Sequence, residues 1–381
     1  MTITINNKNK KPNVPNLRFP EFQGEWNLSK ISDVLSIGNG RDYKNLAKGD
    51  IPVFGTGGYM TSVSDYLYDG ETAFIGRKGT INKPYFYKGK FWTVDTLFYT
   101  HSFNGVTPHF VYCLFQTINW LRYNEASGVP SLSKDTIEKI KVHIPQIEEQ
   151  QKISLLLFLL DERIATQSKI IEDLKKLKSA ISKHLFSRKD LLETTIRLAD
   201  IATLKNGYAF QSSKYNIQGK WKILTIANVS GGRYINEEDC NCIINLPNDI
   251  QDHQVLKEGD ILISLTGNVG RVSLCKDGNY LLNQRVGLLH ITKNVNQEFL
   301  YQVLSSRRFE NSMVACGQGA AQMNIGKGDV ENFVLPYSSK ANNIHLVARI
   351  LHSYDKCIIN ELRELTLLTM QKQYFLAQMF I

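Results

Sequence analysis

The chain has 381 residues, of which 43% are hydrophobic and 10% aromatic, so it exceeds one ordinary core and predicts two or more domains. Its formal net charge of +9 makes a polyanion the first partner to consider. The longest unbroken apolar run, Leu155–Leu160, is much too short to span a bilayer. Scattered cysteines without a secretory signal predict a reduced, cytoplasmic setting.

The sequence predicts no metal site and no catalytic centre. Cys240 and Cys242 form a single CxC without a second ligand pair, which favours two small strand or turn residues over a zinc site. The histidines show neither metal-ligand spacing nor a paired nucleophile. We therefore assign them no chemistry.

In chain order, residues 1–16 are polar and predict a flexible tail. Residues 17–145 predict a first globular domain, with a helical turn around Asp33, a β-rich run that ends in a Gly-containing loop, and an amphipathic helix over Pro108–Leu121. Residues 146–189 predict a long helix that follows this domain.

The second half of the chain repeats the first. It has a predicted globular domain over residues 190–336 and a predicted long helix over residues 337–381. The matched segments, first-half member first, are Ile31–Gly40 with Leu198–Gly207, Asp69–Ile81 with Glu258–Val269, the helices Pro108–Leu121 with Gln297–Phe309, and the strands Val142–Pro145 with Phe333–Pro336.

The two long helices share one design. Ile153–Ser187 and Val347–Ile381 match without a gap, and their apolar residues follow alternating steps of four and three, which is the a/d seam of a coiled coil. The predicted seam residues are Leu157, Leu160, Ile164, Ile171, Leu174, Ile181, Leu351, Tyr354, Ile358, Leu365, Leu368 and Phe375. Polar residues interrupt the seam at matching places, Gln167 with Glu361 and Lys178 with Lys372, and such interruptions can fix register. Spacing alone fits equally a spacer of roughly 60 Å and a pair of core helices in one domain.

The order domain, helix, domain, helix has a geometric consequence. If the helices pair, the first leads from the first domain to the second and the other leads back, so they run antiparallel and the C-terminus lies beside the first domain. This return favours the spacer interpretation. The predicted fold class is α+β, with two pseudo-symmetric mixed α/β domains separated by two long antiparallel coiled-coil helices.

Several motifs resemble the specificity subunits of type I restriction-modification systems. In the first half they are Pro15–Phe22 ahead of Trp26, Ile75–Thr80 followed by Phe91–Leu97, and Ile144–Pro145 leading to Glu149–Gln150. In the second half they are Glu258–Ser264 and Asn324–Ile325. The resemblance covers nearly the whole chain. Ser338–Asn343 departs from it, because it stands where a Glu-Gln pair would open the second helix.

The resemblance implies two target recognition domains, each of which reads one half of a split target in double-stranded DNA. It also implies that this chain is not an enzyme and binds no cofactor. Two modification subunits would methylate adenine with S-adenosylmethionine, and restriction subunits would use ATP and Mg. The sequence agrees, since it contains neither a GxxxxGK[ST] phosphate loop nor an Asn-Pro-Pro-Tyr-type methylation motif.

Three groups of loops are candidates for DNA contact. In the loop Gly76–Thr80, glycines allow close approach, and Arg77 and Lys78 can bind phosphates or guanine. The counterpart Leu265–Arg271 is less charged. The second group is the pair of loops that follow Gly40 and Gly207, where cationic and amide side chains suit base-edge and backbone contacts. In the third group, amides in Gly317–Asn324 can read adenine. The candidate contacts are Arg41, Lys44, Lys48, Arg77, Lys78, Thr80, Lys83, Tyr208, Gln211, Lys214, Thr266, Asn268, Arg271, Gln318, Gln322 and Asn324. Because the domains differ at all three places, we expect different half-sites, although a solvated turn explains each loop almost as well.

Alternatives stay open at this point. Leu155–Leu160 is apolar around the whole helix, which fits burial, a docking surface for a partner helix, or both. The chain can belong to a methylation-only system. From other classes, it can be a coiled-coil oligomerisation scaffold that does not bind DNA, or a nuclease or methyltransferase in its own right.

Overall fold

The computed structural model describes residues 4–5, 13–317 and 323–381, and the chain forms two compact units. The first unit contains Met1–Ser168 and Arg363–Ile381, and the second contains Lys169–Leu362. The C-terminal segment therefore belongs with the N-terminal globular region, as the predicted return of the second helix requires. The predicted flexible tail lies mostly outside the described residues.

The first unit is a mixed α/β structure. Its strands are β1 (Thr4–Ile5), β2 (Leu17–Arg18), β3 (Asn27–Lys30), β4 (Ser36–Asn39), β5 (Lys48–Gly55), β6 (Gly58–Val63), β7 (Tyr68–Gly76), β8 (Tyr85–Thr93), β9 (Leu97–His101) and β10 (Lys141–Ile144). Its helices are α1 (Ile31–Val34), α2 (Pro108–Thr117), α3 (Lys134–Glu138), the first part of α4 (Ile147–Ser187) and the last part of the C-terminal helix Ala341–Met379. Six strands form one sheet in the order β4-β9-β7-β8-β5-β6, in which only the β5–β8 pair is parallel.

The β7–β8 ribbon bends, so that the end of β8 pairs with β5. Gly70 lies opposite Gly89, and both have positive φ, which glycine adopts without strain and which marks bends in sheets. After two more pairs β8 leaves β7, and it then pairs with β5 through Trp92 and Thr93. Phe74 fills the space inside the bend, with ring centroids 4.8 Å from Phe91.

The second unit is also a mixed α/β structure. Its strands are β11 (Thr194–Arg197), β12 (Ala202–Asn206), β13 (Trp221–Leu224), β14 (Asn241–Ile243), β15 (Val255–Leu256), β16 (Ile261–Ser264), β17 (Val272–Leu274), β18 (Tyr280–Leu282), β19 (Val286–Ile291) and β20 (Val334–Tyr337). Its helices are the rest of α4, α5 (Gln297–Leu304), α6 (Arg307–Cys316), α7 (Lys327–Glu331) and the first part of α8 (Ala341–Met379). Two four-stranded sheets have the orders β12-β19-β16-β17 and β14-β13-β18-β15.

A polar side chain caps the N-terminus of a helix at corresponding positions in the two units. Thr107 accepts a hydrogen bond from the backbone N–H of Phe110 at the start of α2, and Asn296 accepts one from Phe299 at the start of α5. A side-chain oxygen at this position satisfies a backbone donor that the helix leaves unpaired. The helix Gln297–Phe309 was predicted as one element, and this prediction is wrong. Ser305 and Ser306 separate α5 from α6, because their hydroxyls bond to the carbonyls of the preceding turn.

The predicted helix Pro108–Leu121 is likewise shorter in the structure. It ends at Thr117, whose hydroxyl donates to the carbonyl of Leu114 over 2.7 Å. Ile118 is extended, and a 3-10 turn then carries the buried Trp120.

The first unit is closed by Phe380, which directly follows the end of α8 at Met379. Phe380 stacks on Phe110 with ring centroids 5.4 Å apart and meets the edge of Trp26 at 6.1 Å. In the second unit Phe186, near the end of α4, meets Phe299 at 6.3 Å. Each globular core is therefore completed by the end of a long helix.

In each unit a segment of α4 packs antiparallel to a segment of α8. The predicted seam residues are all buried or half-buried; buried are Leu157, Leu160, Ile171, Leu351, Ile358 and Leu368, and half-buried are Ile164, Leu174, Ile181, Tyr354, Leu365 and Phe375. The two lysines that interrupt the seam form ion pairs with equivalent aspartates. Lys178 Nζ lies 2.6 Å from Asp355 Oδ1 in the second unit, and Lys372 Nζ lies 2.5 Å from Asp161 Oδ1 in the first.

The Glu149–Gln150 pair at the start of α4 is buried inside the first unit. Glu149 receives two hydrogen bonds from Arg18, of 2.8 and 2.7 Å, and Gln150 Nε2 donates to the carbonyls of Gly105 and Pro145. These side chains hold the helix to its globular domain. In the second unit Asn343 donates to the carbonyl of Leu191 instead.

Candidate nucleic-acid interface

In the first unit, two loops bond to the end of β8 and to the β8–β9 connection, Val94–Thr96, and a third loop bonds to one of those two. The backbone N–H of Arg41 donates to Thr93 over 2.8 Å, and that of Arg77 donates to Thr96 over 2.8 Å. The N–H of Gly79 donates to Pro130, also over 2.8 Å. We call this set of loops, residues 40–41, 77–83, 94–96 and 130–131, the first rim.

Two glycines permit this convergence. A Cβ on Gly40 would lie 1.9 Å from the carbonyl oxygen of Val94, and a Cβ on Gly76 would lie 2.2 Å from that of Thr80. No side chain fits at such distances. Gly40 is therefore required where its loop passes the β8–β9 connection, and Gly76 where the loop Gly76–Thr80 folds back on itself.

The second unit contains the same hydrogen bonds at matched positions. Tyr208 N–H donates to Leu282 over 2.8 Å, Leu265 N–H to Arg285 over 3.0 Å, and Gly267 N–H to Met323 over 2.9 Å. A Cβ on Gly207 would lie 2.1 Å from the carbonyl oxygen of Asn283. We call residues 207–208, 265–270, 283–285 and 323–324 the second rim.

The side chains of the first rim are mainly cationic. Arg41, Arg77, Lys78 and Lys83 are all exposed, as is Thr80. The Arg77 guanidinium is held in place, because Nη1 donates to the carbonyl of Asp95 over 3.2 Å and the group lies 5.8 Å above the Phe98 ring. The rim therefore presents positive charge on a hydrogen-bonded scaffold.

Two predicted contacts of the first unit do not lie on the rim. Lys44 is exposed in the connection that leads to β5, and Lys48 is the first residue of that strand. Because Gly55 at the other end of β5 adjoins the rim, Lys48 lies roughly 20 Å from it along the strand.

The second rim presents mostly neutral polar groups. Thr266 Oγ1 donates to Asn324 Oδ1 over 3.0 Å, and Asn268 is exposed. Tyr208 donates its hydroxyl to Asp249 over 2.8 Å, and this hydrogen bond raises the pKa of Tyr208. Arg271 Nε lies 3.8 Å from Glu310 Oε1, so its charge is partly balanced within the unit.

The remaining candidates of the second unit lie beside or outside this set. Gln211 and Lys214 are exposed at a 3-10 turn that follows Tyr208. Gln318 and Gln322 lie outside the described residues.

The sequence candidates omitted the segment at the centre of each rim. Asp95 in the first unit and Gln284 and Arg285 in the second are exposed, and their neighbours accept the hydrogen bonds that hold the surrounding loops. A signal was present, since Phe91–Leu97 belongs to the motifs that carry the family resemblance. At this central segment the first rim has the Asp95 carboxylate, where the second has the Gln284 amide and Arg285. The segment therefore adds to the chemical difference between the rims.

The described residues contain no cluster of three or more His, Cys, Asp or Glu side chains able to hold a metal ion. All six cysteines are free. Within the part of the chain that the structure covers, no helix is both long and apolar enough to cross a membrane.

Fold and rims define a duplicated α+β recognition protein with long paired helices. Residues 23–176 and 193–369 match the family model described as the type I restriction modification DNA specificity domain. The chain therefore belongs to this family. The resemblance inferred from the sequence motifs is confirmed, and so is the predicted class with two similar mixed α/β domains and long helices.

Relatives support this assignment. The chain is 27% identical over 301 residues to the MjaVIII specificity subunit of a type I restriction enzyme from Methanocaldococcus jannaschii, a match that covers 71% of this chain and 67% of the relative. It is 22% identical over 364 residues to the putative MjaX specificity subunit of the same organism, covering 88% of this chain and 80% of the relative.

A solved structure shows the same fold. It is the S subunit of a type I restriction-modification system from M. genitalium, 15% identical, with a TM-score of 0.65. The match covers 97% of this chain and 99% of that one.

Proposed function

We propose that this chain is the DNA-recognition subunit of a type I restriction-modification complex, and that each rim reads one half of a bipartite, asymmetric target. The strongest support is that the two rims share one pattern of backbone hydrogen bonds but carry different side chains. Arg77 and Lys78 on the first rim correspond to Leu265 and Thr266 on the second.

The chemistry of the first rim suits duplex DNA. Lys78 and Lys83 are positioned to neutralise phosphates, which supplies most sequence-independent affinity. Arg77 can make two parallel hydrogen bonds to guanine, the commonest specific contact in the major groove. Because its guanidinium is already held by Asp95 and Phe98, less conformational entropy is lost on binding.

The second rim suits a different half-site. Amide groups such as those of Asn268 and Gln284 bind adenine through two hydrogen bonds, while Arg285 supplies a cation. Two rims with different donors and acceptors read different bases, so the combined target is asymmetric.

The long helices have two proposed roles. They set the length of the DNA that lies unread between the half-sites, and they dock two modification subunits. The first turns of α4 expose Leu155, Phe158 and Leu159 by 48%, 42% and 50%, an apolar surface that suits a partner helix.

Catalysis is assigned to partner chains in the cytoplasm. The modification subunits would methylate adenine with S-adenosylmethionine, and restriction subunits, where present, would use ATP and Mg. This chain would contribute binding energy, sequence choice and placement.

Binding of duplex DNA at increasing salt tests the recognition role against a protein scaffold. A recognition subunit loses affinity steeply, since each phosphate contact releases about one counterion. A scaffold whose positive charge is incidental shows no saturable binding to the duplex at any salt concentration.

A further inference from the structure

The β5–β6 hairpin carries exposed apolar groups beside the positive charge of the first rim. Its strands are joined by the two-residue turn Thr56–Gly57. Directly after the turn, Tyr59 and Met60 leave 64% and 51% of their surfaces exposed. These two large apolar side chains give the tip a small apolar surface that a ligand can contact.

Specific contacts place this tip on the rim. Val94 N–H donates to the carbonyl of Phe54 over 3.0 Å, which joins the hairpin to the β8–β9 connection. A Cβ on Gly55 would lie 2.8 Å from Met60 Sδ and 3.4 Å from Val94 Cγ2. A Cβ on Gly79 would lie 3.8 Å from Thr56 Oγ1. The Met60 thioether therefore lies beside the centre of the rim.

The charge of the rim and the shape of the hairpin indicate which kind of molecule binds the tip. Exposed Arg41, Arg77 and Lys78 belong to the rim that the hairpin adjoins, and such a surface repels a basic partner and attracts a polyanion. A two-stranded β-ribbon fits the major groove of B-DNA, and the apolar group found there is the C5-methyl of thymine. Duplex DNA satisfies both the charged and the apolar parts of this surface.

Among the described residues of the second unit, no short two-residue hairpin occupies the matching position. There β13 pairs parallel to β18, as β5 pairs with β8, but residues 225–240 connect β13 to β14. This connection is fixed inside its own unit. Asn228 is 3% exposed and donates to the carbonyl of Asn236 over 2.9 Å, and Arg233 is bonded to Asp355.

We propose that the β5–β6 hairpin enters the major groove of one half-site, where Tyr59 and Met60 determine specificity through apolar contact with thymine methyl groups. This inference rests on the proposed DNA-recognition function. It adds a reading element that lies beside the first rim and has no counterpart among the described residues beside the second.

Site selection from a randomised duplex library tests the proposal, using the full-length chain purified with its modification subunits. The variants are Tyr59→Ala and Met60→Ala, alone and combined. Tyr66→Ala is the matched control, because Tyr66 is 46% exposed but lies after the far end of β6. Thermal unfolding midpoints check that each variant is folded.

We expect the hairpin variants to lose preference for one or two T·A pairs in one half-site, and to keep the other half-site and the spacer. Replacing those thymines by uracil then weakens wild-type binding roughly fourfold per methyl, the value of about one buried CH₂, and leaves the Tyr59/Met60 double variant unaffected. The Tyr66 control keeps the full motif.

The hairpin's role alone would be overturned by a motif unchanged by the double variant, or by uracil substitution that does not affect the wild type. A uniform loss of affinity over both half-sites would also exclude it. If the wild-type complex enriches no motif at all, the proposed function fails together with the hairpin's role.

Discussion

Arg233 Nη1 donates a 2.9 Å hydrogen bond to Asp355 Oδ2, and this contact ties the β13–β14 connection to helix α8. Both side chains are buried, with 8% and 7% exposure. Asp355 also accepts from Lys178 on α4 and from Gln302 on α5, while Glu298 binds Arg233 through two further hydrogen bonds. One carboxylate therefore joins four elements of the second unit.

Arg233→Met should strongly destabilise the second unit, because it removes a buried cation from Asp355, which keeps only Lys178, and from the half-buried Glu298. Breaking a buried pair from one side costs about 3–5 kcal/mol. Arg163→Met is the matched control, since Arg163 pairs with Glu364 at the surface with 67% exposure, and such pairs contribute about 0–1 kcal/mol. Chemical denaturation followed by hydrogen exchange measures both, and equal effects would contradict the account.

The same network predicts a pH dependence. Burial by itself raises the pKa of Glu298, but the hydrogen bonds from Arg233 and Gln302 outweigh it, and the pKa lies below its ordinary 4.5. A carboxylate with a lowered folded pKa adds stability above its unfolded pKa, and this stability is lost as pH falls through the folded value. We expect the second unit to weaken below about pH 4.5.

Glu298→Gln should remove that part of the acid sensitivity and lower stability at neutral pH. Unfolding midpoints measured from neutral pH downward provide the comparison. A variant whose midpoint keeps the wild-type slope below pH 4.5 would show that Glu298 is not the responsible group.

Phe380→Ala should destabilise the first unit and Phe186→Ala the second, because each side chain packs against the core of its own unit. Phe380 is 6% exposed and stacks on Phe110, so its truncation should cost about 3–5 kcal/mol. Phe186 is half-buried and should cost less. Hydrogen exchange should rise around Trp26 and Phe110 in the first variant and around Phe299 in the second. Faster exchange in the same unit for both variants would contradict the described packing.

Arg77→Ala and Lys78→Ala should separate base reading from phosphate binding. Loss of Arg77 should cost about 1–3 kcal/mol and relax one position of one half-site. Loss of Lys78 should weaken all sequences alike and reduce the salt slope by about one. Binding titrations on matched and mismatched duplexes distinguish the two. Identical profiles would mean that Arg77 contacts the backbone only.

Insertion of one heptad into both long helices should lengthen the unread DNA between the half-sites and leave both half-sites intact. Seven residues add about 10 Å to a helix, which is roughly three base pairs at 3.4 Å each. Insertion into one helix alone is the control, because it shifts Lys178 out of register with Asp355 and should destabilise the pairing. An unchanged spacer after the double insertion would refute the proposed ruler.

The sequence predicted the parts of the fold that depend on local pattern. The helix seam follows from apolar spacing, and the Gly turns at Gly40 and Gly207 follow from the repeat. The α5–α6 break was missed because apolar periodicity continues across Ser305 and Ser306, whose hydroxyls end the first helix.

The functional surfaces were predicted less completely, because they depend on contacts between distant segments. Arg233 and Asp355 are 122 positions apart, so no local pattern reveals their hydrogen bond. Lys48 looked like a neighbour of Arg41 in sequence, but β5 separates it from the rim. Asp95 and Gln284 are central because the loops on either side hydrogen-bond to the segments that contain them, and these bonds join residues far apart in sequence.

The central claim is that the two rims read different half-sites of one DNA target. Mapping the methylated adenines in the DNA of cells that express this chain with its modification subunits tests it directly. We expect a single motif with two different specified blocks separated by an unspecified stretch of fixed length. A palindromic motif, a single continuous block, or methylation without a motif would contradict the claim.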